Sequence, residues 1–378
     1  MKRRTTLIAV ALLVSACSPA KDPAETGHLS VNDFLGSAAP SGFERAIEPI
    51  AFEFPRDHGP HPDFRNEWWY LTGNLTGPDD RQFGFQFTIF RNALSPDRAE
   101  HPSRWATRQT YLAQIAITDV KGNAFYSDER FARGALGLSG VELEPFRVWL
   151  EDWALRGRTP AGCATCFSVD LAADSAEFGI TLHLETARPP VPHGDSGLSR
   201  KGDTGDNASY YYSFTRLDTA GELRIGDARF AVSGTGWMDH EWSTSSLQED
   251  QVGWDWFSLQ FSDNSDLMLF QLRHRNDANR NFLYGTFVEP SGAANTVAAR
   301  DIKITSTDTW TSPASGASYP AGWKIGIPGL DLDIDLEPMI DAQEMNLSFR
   351  YWEGAIRASG TRAGRRITGR GYVELTGY

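Results

Sequence analysis

The sequence predicts an all-β protein built from two antiparallel barrels or sandwiches, and three observations support this class. Aromatic residues make up 12% of the chain, with 22 Phe, 12 Trp and 11 Tyr, and these residue types favour strands. The 35 Gly and 20 Pro indicate many turns. After residue 64, short segments of strand composition alternate with turn signals, and no window of roughly 15 residues carries a sustained helical stripe.

Length and charge limit the classes of function. A chain of 378 residues is long enough for two domains, and its 40% hydrophobic and 22% charged residues are typical of folded proteins. The formal net charge is −13, whereas nucleic-acid-binding proteins carry a basic patch or stripe. We therefore expect no nucleic acid among the partners of this protein.

The first 17 residues are typical of a bacterial lipoprotein signal peptide. A basic start at residues 2–4 precedes an apolar run at residues 5–14, which is too short to span a bilayer. The run ends in Leu13-Val14-Ser15-Ala16-Cys17, which resembles a lipobox and predicts a lipid such as palmitate on Cys17. Ser18 is similar to outer-membrane sorting signals, so we expect a lipid anchor at the periplasmic face of the outer membrane. The alternative is an ordinary signal peptide in which the cysteine occurs by chance.

The rest of the chain divides into a linker and two predicted domains. Residues 18–45 are rich in Ser, Ala, Pro and Gly, which predicts a flexible linker. Predicted strands then occur on both sides of a polar run at Ser243–Gln251, the natural break in the body. We therefore place one domain at residues 46–242 and a second at residues 243–378.

Cys163 and Cys166 form a CxxC pair with three interpretations: a redox pair, half of a zinc site, or a short disulfide. Zinc would need a second ligand pair, and neither another CxxC nor an HxxxH is present. A redox pair would need a helix start in a βαβ unit, which the sequence does not predict. We expect a disulfide, because the periplasm is oxidising.

The segment Gly234–Trp242 carries most of the candidate chemistry, with two carboxylates, one imidazole and two indoles within six residues. In an extended strand side chains alternate between faces, so His240 shares a face with Trp242. Asp239 and Glu241 lie on the opposite face. Neighbours on alternate faces cannot converge on one ion, so we expect no metal here unless a distant histidine joins. The histidines that could join are His58, His61 and His274.

A second segment, Gly253–Phe257, follows the polar run. In a strand, Asp255 shares a face with apolar residues, and burial there would raise its pKa into the range useful for an acid. Trp254 and Trp256 face the other way. We expect His240 and Asp255 to lie in one cluster that lines or gates a pocket. The alternative is that they only hydrogen-bond each other at the domain junction.

Several motifs together resemble one family. They are Glu67-Trp68-Trp69-Tyr70, Tyr210-Tyr211-Tyr212-Ser213, Trp237-Met238-Asp239-His240-Glu241-Trp242, Gly253-Trp254-Asp255-Trp256, Tyr351-Trp352-Glu353-Gly354 and the end of the chain from Gly371 to Tyr378. This set resembles the AttH-like lipocalin family, often called predicted secreted hydrolases and related to the acyclic carotenoid hydratases (hydroxyneurosporene synthases). The resemblance implies two lipocalin-like (calycin) antiparallel β-barrels packed side by side, with a pocket for a hydrophobic ligand.

The resemblance also implies roles for particular residues. The His-x-Trp motif of the hydratases, which protonate an isoprenoid alkene and add water, resembles His240-Glu241-Trp242. Their downstream Tyr and Asp, thought to supply the proton, have no counterpart in the segment Asp266–Arg273, where Phe270 or Gln271 stands instead.

Two functions from different classes therefore stay open. The first is a lipid-anchored protein that binds a hydrophobic small molecule, a lipid or an isoprenoid, and acts with an ABC-type export system, as the resemblance implies. The second is a cofactor-free hydratase or hydrolase acting on an isoprenoid or acyl substrate, with Asp239 or Asp255 as the acid and His240 as its partner base. The aromatic residues expected to bind the substrate are Trp69, Tyr70, Trp242, Trp254 and Trp256.

Overall fold

The structure is a computed structural model, and it describes residues 41–97, 103–158, 166–186, 188–202, 207–244, 247–248, 250–275 and 277–378. The predictions for the signal peptide, for Cys17, for most of the linker and for Cys163 lie outside these residues. Cys166 is disulfide-bonded. Its pairing with Cys163 stays a prediction.

The described chain is all-β, as the sequence predicts, and its strands form two antiparallel sheets. The first sheet holds 13 strands. They are β1 (Asn66–Thr76), β2 (Gln82–Ala93), β3 (Gln109–Asp119), β4 (Ala124–Arg133), β5 (Ser139–Leu143), β6 (Phe146–Leu150), β7 (Trp153–Gly157), β8 (Phe167–Asp174), β9 (Phe178–Thr186), β10 (Val191–Pro192), β11 (Leu198–Arg200), β12 (Ala208–Ile225) and β13 (Ala228–Ser243). Their order is β4-β3-β2-β1-β13-β12-β9-β8-β7-β6-β5, with β10 and β11 beside β12.

The second sheet holds ten strands and begins eight residues after β13 ends. They are β14 (Gln251–Phe261), β15 (Asp266–His274), β16 (Phe282–Val288), β17 (Ala294–Val297), β18 (Lys303–Thr311), β19 (Ser318–Ile327), β20 (Leu332–Pro338), β21 (Glu344–Asn346), β22 (Arg350–Arg362) and β23 (Arg365–Thr376). Their order is β17-β16-β15-β14-β23-β22-β20-β19-β18, with β21 beside β22.

Helical structure is minor. The described residues contain five 3₁₀ turns of three residues each and no α-helix. They are Arg56–His58, Pro78–Asp80, Ala278–Arg280, Ala299–Asp301 and Pro328–Leu330. Within this part of the chain, no helix has the length and apolar character needed to cross a membrane.

Each sheet curls around its own aromatic core, and strand alternation decides what enters that core. In β2, Phe83, Phe85, Phe87 and Ile89 are fully buried in the core of the first sheet, which confirms the predicted aromatic face. Gly84 lies on the other face, where a Cβ would come within 2.7 Å of Ala355 of the second sheet. The outer face of β2 therefore packs directly on the second barrel.

The second barrel follows the same rule. Phe257 of β14 and Val373 of β23 enter its core. Their neighbours in sequence, Trp256 and Tyr372, belong instead to a separate cluster with Tyr70 and Trp237 of the first sheet. The two barrels thus pack side by side through their outer faces, and the layer between them contains both aromatic and polar side chains.

The chain before β1 packs against the first barrel. The ring of Phe52 lies 5.5 Å from that of Tyr212 and 5.6 Å from that of Trp242, measured between centroids. The Tyr210 hydroxyl donates to the carbonyl of Glu48 at 2.9 Å. This segment brings the 3₁₀ turn that carries His58 onto the interior of the barrel.

Candidate functional site

The structure distributes the predicted site residues among three places. Alternation along β13 points His240 into the first barrel and Asp239 into the layer between the barrels, as the sequence predicts. Asp255 of β14 points into the second barrel. Trp69 and Trp242 accompany His240, whereas Tyr70, Trp254 and Trp256 lie with Asp239 in the layer between the barrels.

The expectation that His240 and Asp255 share one cluster is wrong. Asp255 contacts Arg273 at 2.9 Å, the Tyr378 hydroxyl at 2.9 Å and the Gln271 amide at 3.3 Å, all in the second barrel. None of these groups contacts His240. The physical reason is that β13 and β14 belong to different sheets, so each inward-facing side chain enters its own core. As the sequence predicts, burial raises the pKa of Asp255, although Arg273 opposes this.

A histidine cluster fills the interior of the first barrel near the segment that precedes β1. Its members are His58, His61, Glu67, Arg91, Tyr212 and His240. Glu67 of β1 is its centre. Its carboxylate accepts from three side chains, His61 Nδ1 at 2.7 Å, His240 Nε2 at 3.1 Å and Arg91 Nε at 2.7 Å, and also from the backbone N–H of His61 at 3.1 Å. Burial would raise the pKa of Glu67, but the Arg91 charge and the two imidazoles hold it well below its usual range. Glu67 is therefore ionised.

His240 has a partner at each ring nitrogen. Its Nε2 faces Glu67, and its Nδ1 lies 3.1 Å from the Tyr212 hydroxyl and 3.1 Å from the Asp57 carbonyl. Burial lowers the pKa of His240, and the Glu67 bond opposes this. Trp69 stacks on the His240 ring at 4.7 Å. The imidazole is thus bonded at both ring nitrogens and enclosed.

The same cluster contains the nearest approach to a metal site among the described residues. His61, Glu67 and His240 offer three ligand atoms within 4.8 Å of one another, the number that a catalytic zinc site takes from the protein. However, the Arg91 guanidinium already pairs with Glu67, and both imidazoles already bond to the same carboxylate. These bonds satisfy all three groups, so we assign no metal to them.

A junction cluster of carboxyl groups lies in the layer between the barrels. Its carboxyl members are Asp239, Glu353 and Glu374, and its aromatic members are Tyr70, Tyr211, Trp237, Trp254 and Trp256. Asp239 accepts bonds from Ser213, from Trp237 Nε1 at 2.6 Å and from the Tyr211 hydroxyl at 2.9 Å. Burial outweighs these bonds and raises the pKa of Asp239 to about 7.

The two glutamates of the junction cluster face each other. Glu353 of β22 and Glu374 of β23 are directly opposite in the strand register, where two like charges are destabilising. Tyr70 donates to Glu353 at 2.6 Å, and the Trp254 indole donates to Glu374 at 2.9 Å. Burial raises the pKa of Glu374 to about 8, with Asp239 adding to the effect, and burial together with Glu374 raises that of Glu353 well above its usual range.

The junction cluster holds protons at neutral pH and reaches the surface on one side. None of its three carboxyl groups forms an ion pair with a cation among the described residues. One oxygen of Glu353 has no hydrogen-bond partner in this part of the chain. Glu374, Trp254 and Trp68 are partly exposed, whereas Asp239 and Glu353 are buried. The cluster can therefore donate a proton to a molecule that approaches Glu374.

Residue-by-residue reasoning did not single out Glu353 and Glu374. Both lie within the motifs that carry the family resemblance, but the sequence does not show that β22 and β23 pair with these two residues opposite each other. The only available signal was a glutamate among aromatic residues in each of two strand-like segments.

Two aromatic-cored antiparallel barrels with buried acids between them define the class of this protein: a double barrel of the lipocalin-like type. The family pattern described as AttH-like matches residues 45–378. The chain therefore belongs to the AttH-like family, which confirms the resemblance found in the sequence.

Two solved structures are similar to this chain. A protein from Nitrosomonas europaea assigned to AttH is 32% identical, with a TM-score of 0.77, and the match covers 89% of this chain and 100% of that one. Kievitone hydratase from Nectria haematococca is 15% identical, with a TM-score of 0.65, and the match covers 90% of this chain and 98% of that one. The second likeness shows a shared fold. No curated protein matches the sequence.

Proposed function

We propose that this protein is a cofactor-free enzyme that adds water to a carbon–carbon double bond of an apolar substrate, with the junction cluster as its acid. The observation that carries this proposal is the set of three carboxyl groups between the barrels, none of which is ion-paired among the described residues. A general acid is most effective when its pKa lies near the working pH, and the pKa values of Asp239 and Glu374, about 7 and about 8, lie there.

The proposed reaction has two steps. The Glu374 carboxyl, the partly exposed member, gives its proton to one alkene carbon, so that a C–H bond forms, the π bond breaks and a carbocation remains. The electron-rich face of Trp254 at the same rim stabilises this cation. Water then attacks the cation, and its surplus proton returns to the Glu374 carboxylate. The net change is addition of one water.

The geometry favours hydration over hydrolysis by a serine. Ser213 lies between His193, whose Nε2 is 2.7 Å away, and Asp239. In a serine hydrolase the histidine must lie between the serine and the aspartate, so that it can take the hydroxyl proton. The fold shared with a kievitone hydratase and the resemblance to the carotenoid hydratases support the same choice.

A carrier of apolar ligands is the weaker candidate. Large aromatic side chains that are almost fully buried occupy the interior of each barrel, among them Trp69 and Trp153 in the first and Trp352 in the second. A ligand inside a barrel would have to displace these rings. The substrate is better accommodated at the rim of the junction cluster, where Trp68 and Trp254 are partly exposed.

We also propose that a lipid on Cys17 holds the enzyme at the periplasmic face of the outer membrane, where an ABC-type export system is its expected partner. A membrane anchor would place the enzyme beside apolar substrates. Cys17→Ser should release the protein from the membrane fraction after a carbonate wash. Retention of this variant in the membrane would contradict the anchor.

The experiment for the catalytic proposal measures uptake of labelled oxygen. The purified protein is incubated in H₂¹⁸O with kievitone and with acyclic isoprenoid alkenes such as squalene, and products are analysed by mass spectrometry. We expect an ¹⁸O-labelled hydrate from at least one alkene with the wild type and with Glu177→Gln, an exposed control that makes the same chemical change. Glu374→Gln should form little or none. Equal turnover by Glu374→Gln and the wild type would overturn the assignment.

A further inference from the structure

A second feature of the layer between the barrels lies at the opposite end from the junction cluster. Alternation along β23 gives Arg370, Tyr372 and Glu374 the same face, the one toward the first barrel. Arg370 lies four positions before Glu374 in the strand, a distance of roughly 13 Å at 3.3 Å per residue. At the Arg370 end the two sheets leave a cleft of about 570 Å³, which we call the arginine cleft.

Two arginines of the second barrel lie together at the arginine cleft. Arg357 of β22 and Arg370 of β23 are directly opposite in the strand register. Among the described residues neither forms an ion pair. Arg370 is half-buried and makes one weak bond, to the Thr76 hydroxyl at 3.4 Å. Burial and the charge of Arg357 lower the pKa of Arg370. Two like charges held opposite each other are destabilising unless an anion compensates them.

The first barrel supplies a third arginine. Arg216 lies at a bulge of β12 and reaches Asp266 and the Phe261 carbonyl of the second barrel through Nη2. Its Nε atom is buried and has no hydrogen-bond partner in the described part of the chain. Asp266 also pairs with Arg188, at 3.3 Å. One carboxylate therefore serves two guanidinium groups, and within the described residues part of their positive charge is left without a counter-ion.

The lining of the arginine cleft is basic, although the whole chain carries a formal charge of −13. Its charged residues are Arg216, Arg357, Arg370 and Glu337, which gives 3 − 1 = +2. Glu337 is opposite Arg357 in the register of β20 and β22 but lies beyond ion-pair distance. Hydroxyl side chains of Ser262, Ser359 and Thr368 add further donors.

We propose that the arginine cleft binds the phosphate of a phosphomonoester. A phosphomonoester carries a charge of about −1.5 to −2 at neutral pH, which balances the net positive charge of the residues that line the cleft. Guanidinium groups bind phosphate oxygens in pairs of parallel hydrogen bonds. The cleft of about 570 Å³ has room for a phosphate together with part of the organic molecule that carries it. This site is separate from the junction cluster and does not depend on the proposed reaction.

Calorimetric titration tests this site with three probes: inorganic phosphate, glycerol 3-phosphate, and a single-chain lysophosphatidate below its micelle concentration. We expect saturable binding of a phosphomonoester, and at least about tenfold weaker binding by the double variant Arg357→Gln/Arg370→Gln, because charge-assisted bonds are lost. The matched control is Arg365→Gln/Arg366→Gln, two exposed arginines of the same strand outside the cleft. It should bind within about twofold of the wild type.

The probes also separate two sources of the phosphate. Tight binding of glycerol 3-phosphate would assign the arginine cleft to a soluble phosphate ester, whereas binding of lysophosphatidate alone would assign it to a lipid headgroup. Either result supports the site. The site would be overturned if neither glycerol 3-phosphate nor lysophosphatidate bound saturably, or if the control variant lost as much affinity as the cleft variant.

Discussion

The histidine cluster and the junction cluster are both buried and polar, but they differ in counter-charge. Glu67 is surrounded by Arg91 and two imidazoles and stays ionised in the core of the first barrel. Glu353 and Glu374 face each other, pair with no cation in the described part of the chain, and hold protons. A buried ion whose partners are all in place stabilises one arrangement, whereas a buried acid with a raised pKa is ready to transfer a proton.

The sequence offered Asp239 or Asp255 as the acid, and of these two only Asp239 lies in the junction cluster. The family resemblance pointed to His240 and Trp242, and the strand pattern pointed to Asp255. In the structure, His240 is bonded at both nitrogens and enclosed, while Asp255 is held by Arg273 and Tyr378. The acids that combine a raised pKa with a route to solvent lie in the junction cluster.

The largest effect that we predict is on turnover. Glu374→Gln removes the proton donor but keeps the size and the acceptor for Trp254, so turnover should fall by about 10²–10⁴-fold, the usual contribution of a general acid. The measurement is the rate of ¹⁸O incorporation. Glu67→Gln, assayed per folded molecule, should stay within a few-fold of the wild type. If Glu67→Gln lost turnover as severely as Glu374→Gln, the histidine cluster would be the catalytic one.

Stability should rank the two clusters in the opposite order. Glu67→Gln leaves Arg91 buried without its counter-ion and should lower the free energy of unfolding by about 3–5 kcal/mol. Glu353→Gln replaces an acid that is already neutral, so the free energy of unfolding should change by less than about 1 kcal/mol. Urea denaturation of both variants measures the difference. Similar losses in the two variants would show that Glu353 is ionised and paired, contrary to our account.

The pH dependence of stability should differ at the two clusters. The pKa of Asp239 is about 7 in the folded protein and about 4 in the unfolded chain, so its contribution is full below pH 4 and is lost as the pH rises toward 7. At about 1.4 kcal/mol per pKa unit, this loss is on the order of 4 kcal/mol. Asp239→Asn should flatten this part of the curve.

His58 of the histidine cluster should change the stability of the protein at acidic pH. Burial lowers the pKa of His58 to about 3 in the folded protein, from about 6.5 in the unfolded chain. Its contribution is therefore full above pH 6.5 and is lost as the pH falls toward 3. Urea unfolding of the wild type and Asp239→Asn between pH 4 and 8 tests both directions: Asp239 should lower stability as the pH rises, and His58 should lower it as the pH falls. An unchanged slope in Asp239→Asn would contradict the raised pKa of Asp239.

The smallest predicted effect concerns the rim of the junction cluster. Trp254→Leu removes the ring face assigned to the carbocation. The transition state should lose roughly 0.5–2 kcal/mol of stabilisation, and kcat/KM should fall accordingly. Trp254→Phe, which keeps an aromatic face but loses the bond to Glu374, should lie between the wild type and Trp254→Leu. If the leucine variant were as active as the wild type, Trp254 would have no part in the reaction.

The sequence pattern correctly predicted which side chains lie on which face of a strand. The alternation of Phe83, Phe85, Phe87 and Ile89 correctly gave the inner face of β2, and the alternation along β13 correctly separated His240 from Asp239. Both follow from the two-residue period of a strand. This period does not determine which strands pair with each other. The facing of Glu353 and Glu374, and the separation of His240 from Asp255 into two barrels, depend on sheet membership and register, which arise only when the whole chain is folded.

The proposed function requires that the junction carboxyl groups hold protons near neutral pH, and this can be measured. Infrared spectra in D₂O between pH 5 and 9 detect the carbonyl band of un-ionised carboxyl groups, and comparison with Glu374→Gln and Asp239→Asn assigns it. We predict an acid band at pH 6 that weakens with midpoints near 7 and 8 as Asp239 and Glu374 ionise, and that is smaller at pH 6 in each of the two variants. The absence of any acid band at pH 6 would show that the cluster is ionised and would contradict the account.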